Sequence, residues 1–98
     1  MKKEEVGRTL SEIVEHAKRM LSFPDEERVL RYQVLDPLLL GLDGELVRSP
    51  NPYAAEKLDE LKAHLIVMAR LDEPDGYTDE EHCTRALTVV EELRNSWS

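Results

Sequence analysis

Cys83 is the only cysteine in the sequence, so no disulfide can close within the chain, and a reducing, cytoplasmic setting is the expectation. Long apolar runs are missing too. The longest, residues 65–69, falls far short of the roughly 20 residues that span a bilayer. The basic start Lys2-Lys3 is followed at once by Glu4 and Glu5 instead of the apolar segment of an export signal. Glycine is scarce, and neither Gly41 nor Gly44 stands in a Walker or dinucleotide-binding pattern. Positive charge is also in deficit: 13 basic residues against 21 acidic ones give a net charge of -8. That sign repels nucleic-acid backbones and anionic membranes, and it suits a basic protein partner.

What is present is a charged surface with enough aliphatic residues for one thin core. The chain has 98 residues, 41% of them hydrophobic and 35% charged, which makes a single domain. The acidic excess is not evenly spread. Residues 1–31 hold seven bases and seven acids, so the whole imbalance falls in residues 32–98.

The spacing of apolar residues predicts an all-α bundle of about four helices. The most apolar stretch lies near residues 52–71, where Ala54, Leu58, Leu61, Leu65 and Met68 alternate spacings of four and three along one stripe. Asn51 is placed to cap it and Pro52 suits its first position. A first helix near 2–21 carries Val6, Leu10, Ile13, Ala17 and Met20 on its seam, with Val14 and Leu21 beside them. On its polar face Glu4, Glu12 and Glu15 precede Arg8, His16 and Arg19 by four residues, the supportive order. A last helix near 78–97 opens on a capping box, Thr78 with Glu81, and runs through Cys83, Ala86, Val90, Leu93 and Trp97.

The second helix is expected near 24–35, capped by Ser22, with Val29, Leu30, Val34 and Leu35 inward. Pro37 should end it, because proline lacks a backbone donor and disfavours helical geometry at the residue before it. Residues 36–49 then read as an irregular leucine-rich connection with one helical turn. Leu38, Leu39, Leu42 and Leu46 are too many leucines for an open loop, and they are candidates for a homodimer contact.

Candidate chemistry is sparse. Glu12 with Glu15 and Glu56 with Asp59 are acidic pairs at i and i+3, the arrangement by which two adjacent helices could hold magnesium against nucleotide phosphates. Their positions flank the seams, which argues for solvated surface. His16, His64, His82 and Cys83 are the possible transition-metal ligands. No two histidines share a helix at i and i+4, so no metal or other cofactor is expected. Counting back from Gly76 puts Leu71 at the first ligand position of a calcium loop, which fails. The remaining reading is a small, non-enzymatic protein-interaction or regulatory module. Its partner surface is expected around Asp72, Glu73, Asp75, Asp79 and Glu80, with a basic protein as partner, no direct nucleic-acid contact and no membrane.

Overall fold

A computed structural model describes residues 2–97. Among these residues there are four helices and no strand: α1 (Lys3–Met20), α2 (Asp25–Arg48), α3 (Pro52–Met68) and α4 (Asp79–Ser96). Each helix packs on the next and α4 closes the ring on α1, so α1 and α3 are diagonal to one another, as are α2 and α4. Cross-links fix the directions. Arg94 near the end of α4 donates to the Gly7 carbonyl and the Ser11 hydroxyl near the start of α1, and Arg28 of α2 reaches the Met68 carbonyl that ends α3. Neighbouring helices therefore run antiparallel.

The expected seams form the core. Val6, Leu10, Ile13, Ala17 and Met20 are buried, as are Ala54, Leu58, Leu61, Leu65, Met68, and Cys83, Ala86, Val90, Leu93 and Trp97. Asn51 accepts the Ala54 N–H at 3.1 Å and donates to the Ser96 carbonyl, tying the start of α3 to the end of α4. Thr78 and Glu81 close their capping box in both directions at 3.1 Å. The acid–base spacings along α1 do not close into ion pairs among the described residues; His16 instead accepts from Arg31 of α2 at 3.2 Å.

The second helix departs from its sequence reading. It does not end near Leu35 but runs unbroken through Pro37 to Arg48, so the irregular connection is absent and only residues 49–51 separate α2 from α3. Its N-cap is Pro24, not Ser22, and no side chain caps it. A proline inside a helix costs about 3 kcal/mol. Here Leu35, Leu39 and Leu42 are buried, each worth about 2 kcal/mol of apolar burial, and together they outweigh it. Pro37 and Gln33 both face solvent, so water can reach the carbonyl that loses its partner.

The inward face of α2 is also different. Arg28, Leu35, Leu39 and Leu42 are buried, with Tyr32, Leu38 and Leu46 packed against the core, whereas Leu30 and Val34 point outward. The leucines assigned to a dimer contact thus serve this chain's own core: Leu39 and Leu42 are fully enclosed, and Leu38 and Leu46 half so.

Candidate functional site

Polar chemistry gathers at the end of the bundle where α2 and α4 begin and α3 stops. The last turn of α3 closes by a pair of bonds, Arg70 N–H to the Val67 carbonyl and Leu71 N–H to the Ile66 carbonyl, which is the Schellman arrangement. That arrangement needs a left-handed residue, usually glycine. Arg70 takes the position with φ of 64°.

From there its guanidinium makes a two-nitrogen fork on Asp79, at 2.7 and 2.8 Å, and reaches Asp25 at 3.3 Å. Asp79 accepts a third bond, 2.7 Å long, from buried Arg28, which also donates to the Phe23 and Met68 carbonyls. Arg28 therefore satisfies two main-chain carbonyls, one between α1 and α2 and one at the end of α3, while its charge is matched by Asp79. Hydrogen bonds from Arg70 and then Arg28 hold the Asp79 carboxyl at a pKa of about 2.

Beside this clamp lies a chain of three side chains. His82 is 2% exposed; its Nε2 meets Asp75 Oδ1 at 2.8 Å and its Nδ1 meets His64 Nδ1 at 2.9 Å. A carboxylate only accepts, so Nε2 of His82 carries the proton. In the tautomer that leaves His82 Nδ1 without a proton, this nitrogen accepts and His64 Nδ1 donates. Tyr77 stands edge-on to His82 and stacks its face under Arg85, 4.0 Å from the ring centre. Burial, and then the neighbouring His82, lower the His64 pKa. The two nitrogens of His82 face opposite ways and are both engaged, and among the described residues no group of three or more His, Cys, Asp or Glu is arranged to hold a metal ion. Cys83 is buried and burial pushes its thiol pKa up, which disfavours the nucleophilic thiolate.

The acidic pairs that the alternative, nucleotide-hydrolysing reading would need do not converge. Glu12 and Glu15 lie exposed on α1, Glu56 and Asp59 exposed on α3, and those two helices are diagonal across the bundle. The five acids of the expected partner surface divide. Asp79 is mostly covered and held by two arginines, and Asp75 is tied to His82 and to the Tyr77 N–H. Asp72, Glu73 and Glu80 are exposed, and none of their three carboxylates bonds to a side chain of another described residue.

Sequence reasoning missed Arg28, Arg70 and the His64–His82 pair. Arg28 had a readable signal: it sits four residues before Tyr32 and seven before Leu35, on the buried seam of α2, where a charge needs partners. The histidines meet across α3 and α4, a pairing that spacing within one helix does not test. Comparison with protein-family models, with curated proteins and with solved structures finds no match.

Proposed function

We propose that the chain is a small, non-enzymatic interaction module that binds a basic protein surface through the loop between α3 and α4 and the first turn of α4. The observation that carries this reading is the company the free acids keep. Leu71 and Tyr77 are 50 and 45% exposed at either end of the loop that holds Asp72 and Glu73, with Glu80 next to it. Apolar area beside unpaired carboxylates is what a partner site needs: burial gives affinity, and charge gives encounter rate and orientation. The clamp and the histidine chain beneath supply a rigid base, because Asp75 and Asp79 are anchored at the two ends of the turn.

The test uses a basic probe, a helical peptide rich in lysine and arginine interspersed with leucine, and follows association by stopped flow. Association should slow as salt rises and slow again at low salt in Asp72→Asn/Glu73→Gln/Glu80→Gln, with Leu71→Ser raising the dissociation rate. Binding indifferent to salt and to all four substitutions would rule out this surface.

A further inference from the structure

The outer face of α2 is apolar over most of its length, and no other described residue covers Leu30, Val34, Leu40 or Val47. Leu30, Val34, Leu40 and Val47 are 61, 47, 59 and 81% exposed. Pro37 is exposed among them, and a Cβ built on Gly44 would meet nothing within 4 Å. A glycine inside a helix weakens it relative to alanine, so the open space beside Gly44 has no use within the chain.

The face also reads alike from both ends. Glu26, Leu30, Pro37, Gly44 and Arg48 lie near one line along the helix, at successive spacings of four, seven, seven and four. Turning a second copy half a rotation about an axis through Pro37 sets Glu26 against Arg48 and Leu30 against Gly44, each twice. Val34 then falls against Gly41. Large residues meet small ones and acid meets base, and the two helix dipoles oppose. A parallel pairing would place like charges together. The charges are free for this use: among the described residues Glu26 has no ion-pair partner, and Arg48 has only Glu45 at 3.8 Å.

We infer that α2 docks antiparallel on α2 of a second copy of this chain, through Leu30, Val34, Pro37, Gly41 and Gly44, with Glu26 and Arg48 closing both ends. This surface is opposite in sense to the core-facing leucines Leu39 and Leu42, and it is independent of the acidic loop. One helix per copy makes a small interface, so the dissociation constant should be on the order of 10 μM. Because the acidic loop lies at the N-terminal end of α2, the pairing sets the loops of two copies at opposite ends of the dimer.

Sedimentation equilibrium from about 1 to about 200 μM brackets that constant. The mass should rise from one chain toward two. Glu26→Arg and Arg48→Glu should each weaken association about tenfold, since each puts like charges together twice. An equimolar mixture of the two variants should restore it, because in the mixed pair every contact is again acid against base. Gly44→Leu should abolish the dimer while leaving the helical circular dichroism unchanged. Gly44→Ala should weaken the dimer yet raise the melting temperature measured at low concentration by about 4 °C. A single-chain mass across the whole range overturns the inference. So does a dimer indifferent to Gly44→Leu, or one that the charge-reversed mixture does not restore.

Discussion

Arg70 holds Asp79 by two parallel hydrogen bonds from a left-handed backbone position that an arginine adopts only at a cost. The cost of that conformation is about 1 kcal/mol relative to glycine, and the fork on Asp79 offsets it. The same φ that closes the end of α3 aims the side chain back over the start of α4. Backbone termination and the ion cluster are therefore one device.

Substitutions at Arg70 should separate the two terms. Arg70→Ala loses the fork and keeps the strained φ, whereas Arg70→Gly loses the fork and relieves the strain. Urea unfolding should find Arg70→Ala less stable than Arg70→Gly by about 1 kcal/mol. Equal stabilities would mean that the left-handed position carries no strain.

Asp79→Ala should be among the most damaging single changes at this end of the bundle, at about 3 kcal/mol, because it leaves buried Arg28 without a counter-charge. Arg28→Met should cost less, since it removes the buried charge as well. A double-mutant cycle between the two positions measures the coupling, and additive losses would contradict the pairing described.

Acid should remove this contribution in a defined window. The folded Asp79 carboxyl, at about 2, lies below its unfolded value, so the folded chain binds fewer protons. Its stabilisation is complete well above the unfolded pKa near 3.9 and is lost as the pH falls through that value toward about 2. Stability measured against pH should drop across that range, and the drop should be shallower in Asp79→Asn.

Three of the four helices are legible from sequence because their seams alternate four and three without interruption, and Asn51 and the Thr78–Glu81 box mark the starts of α3 and α4. The second was hidden by a conflict between two local signals. Pro37 is read as a stop, yet Arg28, Tyr32, Leu35, Leu39, Leu42 and Leu46 keep the same alternation straight through it. Packing of that seam outweighs a single missing hydrogen bond on the solvent side. The apolar content of the outer face blurred the seam further, because Leu30, Val34, Leu40 and Val47 made α2 apolar on two sides. Arg28 joins the clamp from 51 residues before Asp79, and His64 meets His82 across α3 and α4, so helix packing and not spacing along one helix brings them together.

Pro37→Ala should show how much that conflict costs. The substitution returns a backbone donor to the Gln33 carbonyl and disturbs no buried side chain, so it should stabilise the isolated chain by up to about 3 kcal/mol in urea unfolding. A loss of stability would mean that the proline is adapted to a local bend that alanine cannot reproduce.

The histidine chain should give the protein a pH response nearer neutrality. His64 faces His82, Glu60, Asp75 and Arg85, and burial together with His82 lowers its pKa below 6.5. The unfolded chain thus takes up a proton as the pH falls through 6.5 while folded His64 resists, so stability is present above that pH and is lost below it. The pH slope of folding stability between about 7.5 and about 5.5 should therefore be positive. His64→Gln should flatten it, leaving the part due to His16, whose pKa is lowered by burial and by Arg31. The same variant replaces the imidazole that meets His82 Nδ1 by a flexible amide and loosens the anchor of Asp75, so amide exchange should quicken in residues 71–78. An unchanged slope in His64→Gln would show that the proton is taken up elsewhere, and unchanged exchange would show that the loop is held by Thr78 and Glu81 alone.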